Sequence, residues 1–174
     1  MDDVLARARA IRLAVFDVDG VLTDGRLYMN DAGEEMMAFH TLDGHGLKML
    51  NATGIELAII TGRSSKSVEL RARNLGFAYL YQGVEDKLGK FTELIGKMSI
   101  DASAAAFMGD DVVDLPCMRR CGLAVSVPAA PALVRSHAHY VTTAQGGLGA
   151  VREACEFIMR AQGTLDAQIN KYLA

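Results

Sequence analysis

Short apolar runs alternate along this chain with stretches that have the polar and apolar spacing of helices. The strongest runs are Ile11–Phe16, Ile55–Ile60 and Ala104–Met108. Continuous apolar strands separated by helices are typical of a parallel sheet covered on both faces, with right-handed crossovers. The pattern therefore predicts an α/β protein with a doubly wound, Rossmann-like parallel sheet in a single domain over residues 1–174. Weaker strands are predicted at Tyr79–Tyr81, Leu123–Val125 and Tyr140–Thr142, and helices at about Gly46–Asn51, Ser64–Asn74, Lys87–Lys97, Val112–Arg120 and Ala150–Ala161.

Two segments depart from this alternation. Arg26–His40 is predicted to be a β-hairpin insert with Asn30–Gly33 as its loop, because turn-forming residues separate two partly apolar arms. The arms carry too many apolar groups for a free ribbon in water, so a covering surface is expected. Residues 163–174 have only a weak pattern and are expected to form a mobile tail.

Composition excludes several classes of protein. With 174 residues, 51% of them hydrophobic and 22% charged, the chain can bury a core and is not of the disordered type. A net charge of −3 and 6% aromatic residues exclude nucleic acid as an expected partner. No apolar run approaches the roughly 18 residues of a membrane span, and the N-terminus lacks a signal-peptide core. The three cysteines have no C-x-x-C spacing, which favours reduced thiols and a cytoplasmic protein.

Each strong apolar run ends at a polar residue, and these residues are Asp17, Thr61 and Asp110. Because sites in open α/β sheets gather outside the carboxyl ends of the strands, we expect these side chains at one edge. Asp17 and Asp19 point to one side of an extended backbone, and Gly20 allows the chain to turn away. The sequence therefore predicts a polar cluster that contains two neighbouring carboxylates.

A cluster of this kind indicates a metal site. Two close carboxylates repel each other unless a cation or a proton joins them. Asp110, Asp111 and Asp114 add a second acidic group from another strand end. Several hard oxygen ligands with room for water and phosphate suit Mg²⁺. The alternative interpretation is an Asp-rich turn without a ligand, which a D-x-D-G motif alone leaves open.

Two further positions point to an anion. Thr61-Gly62-Arg63 offers a hydroxyl and exposed N–H groups at a strand end, although Ser64 or Ser65 also fits a helix N-cap here. Lys87 opens a helix, where a cation opposes the helix dipole, so its position is explained if it faces carboxylates and a phosphoryl group. A solvated surface lysine is the competing interpretation.

The sequence resembles the haloacid dehalogenase superfamily of phosphohydrolases in four motifs that occur in the expected order. The motifs are F-D-V-D-G-V-L-T-D (Phe16–Asp24), I-I-T-G-R (Ile59–Arg63), Lys87 and G-D-D-V-V-D (Gly109–Asp114).

The resemblance implies a role for each catalytic residue. Asp17 is the expected nucleophile, which forms an aspartyl-phosphate, and Asp19 is the expected general acid and base. Thr61 and Lys87 are expected to hold the phosphoryl group.

The resemblance also implies a metal-ligand set. Mg²⁺ is expected on Asp17, Asp110 and the backbone carbonyl of Asp19. Asp111 or Asp114 is expected to support these ligands from behind.

The intervals between Asp17, Thr61 and Lys87 leave no room for a cap domain beyond the hairpin. Members of the superfamily usually close their sites with a cap, so a capless member needs another shield. Packing of the hairpin Arg26–His40 against a neighbouring subunit would supply it. We therefore expect a homo-oligomer, and a homotetramer if the family pattern holds.

Further stretches are similar to the capless 3-deoxy-D-manno-octulosonate 8-phosphate phosphatases, over about residues 10–165. They are Y-M-N-D-A-G-E-E, T-L-D-G-H-G-L-K-M-L, I-I-T-G-R-S-S-K-S-V-E-L-R, L-Y-Q-G-V-E-D-K and G-A-V-R-E-A-C. The resemblance implies hydrolysis of that sugar phosphate in lipopolysaccharide biosynthesis. It also implies that Arg63 and Arg71 contact the sugar acid, since a guanidinium binds a carboxylate bidentately. Asp43 and Gly146–Gly149 are expected to line the site, from the same or a neighbouring subunit, although Leu148 replaces an Arg often found there.

Other functions stay open at this stage. A phosphatase for a related nine-carbon, sialic-type sugar acid phosphate would share the motifs. A phosphoacceptor signalling module also combines Asp, Thr and Lys on a doubly wound sheet, but it has its acceptor Asp at a later strand. D-x-D-G follows the first strand here and Lys87 precedes the second acidic cluster, which favours the hydrolase. A catalytically silent scaffold is the third alternative.

Overall fold

The chain folds into a six-stranded parallel sheet flanked by helices and a separate two-stranded hairpin. Its structure, a computed structural model, describes residues 2–173. Met1 and Ala174, the two ends of the predicted domain, therefore lie outside the described residues.

The structure contains the following elements in chain order. The strands are β1 (Leu13–Phe16), β2 (Tyr28–Met29), β3 (Glu35–Met36), β4 (Glu56–Ile60), β5 (Tyr79–Tyr81), β6 (Ala105–Met108), β7 (Leu123–Ser126) and β8 (Tyr140–Val141). The helices are α1 (Asp2–Arg9), α2 (Thr41–Asn51), α3 (Lys66–Leu75), α4 (Lys87–Met98), α5 (Leu115–Met118), α6 (Ala132–Ser136), α7 (Ala150–Ala161) and α8 (Leu165–Asn170). Short 3₁₀ helices lie at Ala102–Ala104 and Val112–Asp114.

Strand β1 lies in the middle of the sheet, whose order is β5-β4-β1-β6-β7-β8. It pairs in parallel with β4 on one side and β6 on the other, and all of its residues are buried. The chain first builds β4 and β5 on one side of β1 and then returns to build β6, β7 and β8 on the other. Such a reversal opens a crevice at the carboxyl ends of the strands on either side of it. The predicted doubly wound α/β fold is confirmed, and Asp17 and Asp110 follow the two strands at the reversal.

Aromatic and aliphatic side chains fill the core between the sheet and its helices. Phe91 on α4 and Phe107 on β6 are both buried and meet edge to face, with ring centroids 6.1 Å apart. Offset or edge-to-face contacts are the favoured geometry for aromatic pairs. This packing fixes α4, and so the position of the lysine that begins it, relative to the central strands.

Helix α2 begins at Thr41, well before the start at Gly46 that the sequence pattern predicts. Glycine weakens a helix, so the glycines in the first part of α2 make that part look non-helical in the sequence. In the structure Gly46 permits close packing of α2 on α7, because a Cβ at this position would lie 3.0 Å from the Cα of Arg152. Tertiary contact therefore overrides helix propensity in this segment.

The predicted hairpin forms, but its strands are only two residues each. The Asn30 side chain closes its turn, because its Oδ1 accepts hydrogen bonds from the N–H groups of Ala32 and Glu34. Apolar side chains on both arms face solvent, and Met29 and Met36 are each 64% exposed. In the described chain this hairpin is the whole insertion between β1 and α2, and it is too short to form a cap domain.

The expected mobile tail contains regular structure. Leu165–Asn170 form α8, and Leu165 and Gln168 on this helix are buried. The sequence pattern misses this helix because the segment after Gly163 is too short to show a clear helical spacing of apolar residues.

No helix within residues 2–173 combines the length and the apolar character needed to cross a membrane.

The contact between α2 and α7 gives a testable contrast between two helical glycines. Gly96→Ala, on α4 with open space around its Cα, should raise the free energy of unfolding by about 0.5–1 kcal/mol through helix propensity. Gly46→Ala gains the same propensity but pushes against the α7 backbone, so it should lower that free energy by about 1–3 kcal/mol. Urea unfolding of the two variants tests the contrast. Equal stabilisation by both would show that α2 and α7 are not in close contact.

Candidate active site

Asp17 and Asp19 lie in the loop that leaves β1. The N–H of Asp17 donates to the carbonyl of Met108 at 3.0 Å and continues the β1–β6 pairing by one residue. Gly20 then has φ +76°, and a Cβ at this position would lie 2.0 Å from Oδ2 of Asp110. A glycine is therefore required for the loop to turn and to pass directly against the second acidic group.

The second acidic group lies in the loop after β6. Both N–H groups of Asp110 and Asp111 donate to Oδ2 of Asp114, at 3.0 and 3.2 Å. Asp111 is exposed and caps the 3₁₀ helix that follows, with the Asp114 side chain closing a reciprocal capping box. Asp114 is fully buried and organises the loop that presents Asp110.

Lys87 connects the two loops. Its Nζ lies 2.9 Å from Oδ2 of Asp17 and 2.7 Å from Oδ1 of Asp114, and its side chain is only 5% exposed. Burial alone would lower the pKa of Lys87, but the charges of Asp17 and Asp114 outweigh it and raise the pKa above its ordinary value. The amine therefore stays protonated, and the interpretation as a solvated surface lysine is wrong.

Thr61 and Arg63 approach from the end of β4. Thr61 is buried, and its N–H donates to the carbonyl of Tyr81 on β5 at 3.0 Å. Of the two serines proposed as a helix cap, Ser65 caps α3, since its Oγ accepts from the N–H of Ser67. The cap and the strand-end threonine are thus different residues, which leaves the Thr61 side chain at the site. Arg63 lies beside Asp19, with Nη1 3.5 Å from Oδ1.

These residues enclose an open cavity of about 370 Å³. It is lined by Asp17, Asp19, Gly20, Gly25, Thr61, Gly62, Arg63, Lys87, Asp110, Asp111 and Val113. Seven of the ten predicted site residues thus line one cavity, and an eighth, Asp114, lies directly behind it on Lys87.

Asp19 has a different environment from the other carboxylates. Its side chain is about 30% exposed and faces Arg63 rather than Lys87. Burial raises the pKa of Asp19 above its ordinary value, and the charge of Arg63 offsets only part of this rise. A half-buried carboxyl whose pKa is raised is suited to giving and taking a proton.

The carboxylates fit a divalent cation. One oxygen each from Asp17, Asp110 and Asp114 lie within 4.8 Å of one another. Oδ1 of Asp17 is buried and lacks a hydrogen-bond partner among the described residues. Burial, followed by the charges of Asp114 and Asp17, raises the pKa of Asp110 to about 7. Both Asp114 oxygens already accept hydrogen bonds, so Asp17 and Asp110 are the carboxylates with free coordination capacity.

Asp43 and Arg71 lie elsewhere in this chain. Asp43 accepts hydrogen bonds from the N–H groups of Gly149 and Arg152 and so ties α2 to the start of α7. Arg71 donates from Nη2 to the carbonyl of His40 at 3.2 Å. Both line a second, nearly filled cavity of about 10 Å³ beneath α2 and α3. Within one chain the structure does not bring them to the carboxylate cavity.

Gly146–Gly149 lies against the loop that follows Asp19. The N–H of Gly147 donates to the carbonyl of Val21 at 2.9 Å. Gly146 and Leu148 line a neighbouring cleft that shares Asp110 with the carboxylate cavity, and Leu148 is 61% exposed. The segment therefore borders the site of its own chain.

Sequence reasoning missed two residues that contact the site. Ser126, at the end of β7, donates from Oγ to the carbonyl of Gly109 at 2.8 Å and so holds the start of the Asp110 loop. It is a polar residue at a strand end, and the signal that identifies Asp17 and Thr61 would have found it. Glu35 on β3 contacts Arg63, and no local pattern indicates which hairpin side chain reaches a residue of the cavity.

No family model matches the chain, but named proteins from several bacteria are similar to it over most of its length. The protein named 3-deoxy-D-manno-octulosonate 8-phosphate phosphatase KdsC from Escherichia coli (strain K12) is 48% identical over 164 residues, covering 94% of this chain and 87% of that protein. The protein of the same name from Yersinia pestis is 47% identical over 165 residues, covering 95% and 88%.

Solved structures of phosphatases are also similar to this chain over almost its whole length. A probable yrbI family phosphatase from Pseudomonas syringae has a TM-score of 0.98 and 51% identity, covering 100% of this chain and 99% of that one. A 3-deoxy-D-manno-octulosonate 8-phosphate phosphatase from Moraxella catarrhalis, solved with magnesium, phosphate and KDO, has a TM-score of 0.97 and 44% identity, covering 99% of both chains. Identity at this level across almost the whole length shows that the chain belongs to the 3-deoxy-D-manno-octulosonate 8-phosphate phosphatase family.

Proposed function

We propose that this protein is a magnesium-dependent phosphatase that hydrolyses 3-deoxy-D-manno-octulosonate 8-phosphate to the free sugar acid and phosphate. The observation that carries the proposal is the Lys87 bridge between Asp17 and Asp114 inside a cavity that also contains Thr61 and Asp110. The substrate is supported by the relative from Moraxella catarrhalis, which was solved with magnesium, phosphate and KDO. The reaction belongs to lipopolysaccharide biosynthesis, and the cytoplasm is the proposed location, supported by free cysteines in the described chain.

The first step uses Asp17 as the nucleophile. Lys87 fixes Oδ2 of Asp17, while Oδ1 lacks a hydrogen-bond partner among residues 2–173. A fixed carboxylate attacks phosphorus more readily than a free one because its orientation is set before the reaction. Attack forms a bond from Asp17 to phosphorus and breaks the bond from phosphorus to the sugar oxygen. The Thr61 hydroxyl and the Lys87 ammonium hold the phosphoryl oxygens during this transfer.

Asp19 completes both halves of the reaction. In its protonated form it donates a proton to the leaving sugar oxygen, which the raised pKa favours. As a carboxylate it then takes a proton from the water that attacks the aspartyl-phosphate. Phosphate leaves and Asp17 is regenerated. Arg63, which lies next to Asp19, is the proposed contact for the carboxylate of the sugar acid, since a guanidinium binds a carboxylate bidentately.

Asp17, Asp110 and the backbone carbonyl of Asp19 would hold Mg²⁺ in this site, with Asp111 and Asp114 supporting their loop. When bound, the ion neutralises charge on the phosphoryl group and orients it. Asp114 and Ser126 shape the loop that presents Asp110 by hydrogen bonds that form without a bound ion.

The homotetramer remains part of the proposal. The apolar side chains of the hairpin face solvent in the single chain, and Leu27 is 57% exposed. Burial against neighbouring subunits would remove this surface from water. Asp43 and Gly146–Gly149 keep their proposed roles in lining the site, from the same or a neighbouring subunit, and Arg71 keeps its proposed contact with the sugar acid.

A phosphate-release assay over a panel of phosphate esters tests the function. With Mg²⁺, we expect repeated turnover and a kcat/KM for the eight-carbon substrate at least about tenfold above that for a nine-carbon, sialic-type analogue. EDTA should abolish release. The variant Asp17→Asn, which keeps the size of the side chain but removes the nucleophile, should lose on the order of 10³-fold or more in kcat. Its circular dichroism spectrum should stay unchanged. Full activity of Asp17→Asn would contradict the mechanism, and equal rates on both sugar acids would contradict the substrate.

Asp110 makes Mg²⁺ binding depend on pH. Because its folded-state pKa of about 7 is above the ordinary value of 3.8, its contribution to the stability of the metal-free protein is full below that ordinary value and is lost as pH rises through about 7. Mg²⁺ must displace this proton, so its apparent affinity should be about tenfold weaker at pH 6 than at pH 8. Thermal unfolding with a Mg²⁺ titration at both pH values measures the effect. Asp110→Asn should remove it, and an unchanged pH dependence in that variant would assign the proton elsewhere.

The oligomeric state is tested by mass. Light scattering on the full chain should give the mass of four subunits. Replacing Met29 and Met36 together by Lys places charge on both arms of the hairpin, so it should shift the protein to smaller species. A monomeric parent protein would contradict the tetramer.

A further inference from the structure

Arg63 lies between two carboxylates, one from the loop after β1 and one from the hairpin. Its Nη1 faces Oδ1 of Asp19 at 3.5 Å, and its Nη2 donates to Oε2 of Glu35 at 2.5 Å. Glu35 belongs to β3 of the hairpin, so this contact joins the hairpin to a residue that lines the cavity. The side chains of Arg63 and Glu35 are 46% and 28% exposed, so both can exchange partners with a ligand from solvent.

The Glu35 carboxylate accepts from Nη2 of Arg63, a nitrogen that a ligand carboxylate would also use. A guanidinium binds a carboxylate through two N–H groups on one edge, and Nη2 is part of both edges that can do so. A sugar acid presents the same chemical group as a glutamate side chain. The carboxylate of the substrate and that of Glu35 therefore compete for the same guanidinium group.

We propose that the Glu35 carboxylate pairs with Arg63 at the position that the carboxylate of the sugar acid takes when the substrate binds. It holds Arg63 beside Asp19 while the site is empty and is displaced when the substrate's carboxylate arrives. The inference rests on the proposed function, since it requires a substrate that carries a carboxylate.

This exchange makes Glu35 a specificity-determining residue. A phosphate ester with a carboxylate replaces one ion pair of Arg63 by another. An ester without a carboxylate leaves the Glu35 pair in place and gains nothing from Arg63. Glu35 therefore weakens the binding of the true substrate slightly while it keeps Arg63 unavailable to other anions.

Glu35→Gln tests the inference, because it keeps the shape of the side chain and removes its charge. Binding of the free sugar acid, measured by calorimetry, should tighten roughly two- to fivefold, the range that corresponds to an exposed ion pair. The KM for the sugar acid phosphate should fall by the same factor with kcat unchanged. The methyl ester of the sugar acid, which lacks the charge, should bind parent and variant equally.

Glu34→Gln is the matched control. Glu34 lies on the same hairpin and carries the same charge, but its side chain contacts Asn30 and not Arg63. It should leave the binding of the sugar acid unchanged. In an Arg63→Met background, Glu35→Gln should also have no effect, because the shared donor is gone.

Opposite results would overturn the inference. Weaker binding by Glu35→Gln would make Glu35 a support for Arg63 rather than a competitor, and an effect equal to that of Glu34→Gln would reduce it to a distant charge. Both results leave the proposed function intact if the parent protein hydrolyses the sugar acid phosphate. If the parent neither binds nor hydrolyses it, the proposed function itself fails.

Discussion

The buried ammonium group of Lys87 joins two loops that would otherwise repel each other. Asp17 comes from the end of β1 and Asp114 from the segment after β6, and both contact the same nitrogen. Removing one partner from a buried set of charges typically costs about 3–5 kcal/mol, because the remaining charge is left without compensation. Asp114 also accepts the N–H groups that shape the Asp110 loop. The positions of Asp17 and Asp114, and through the Asp114 loop that of Asp110, therefore depend on this one cation.

The charge of the cluster is not balanced by Lys87 alone. Asp17, Asp110 and Asp114 lie close together beside a single ammonium group, and burial, together with the charges of Asp114 and Asp17, raises the pKa of Asp110. Folding tolerates this repulsion because the parallel sheet fixes both loops, and a divalent ion bound between the carboxylates would relieve it. The environment of Asp110 therefore lowers the stability of its charged form in the absence of an ion.

The sequence predicts this site well where the chemistry follows a buried strand. Asp17, Thr61 and Asp110 are identified because apolar runs end abruptly at them, and parallel strands bring their carboxyl ends to one edge. Prediction fails where placement depends on packing between distant segments. The early start of α2 depends on the close approach of α7 to Gly46, and the contact of Glu35 depends on how the hairpin folds. No pattern in the sequence around Asp43 indicates that its side chain is buried against the start of α7.

The contact of Gly147 with the carbonyl of Val21 joins two segments that lie far apart along the chain. The neighbouring Gly146 packs directly against the carbonyl of Gly20, so these two segments support the turn that follows Asp19. Contacts between residues so far apart in sequence form late in folding, because the intervening chain must first be ordered. The support for the turn at Gly20 is therefore completed only after most of the sheet has formed.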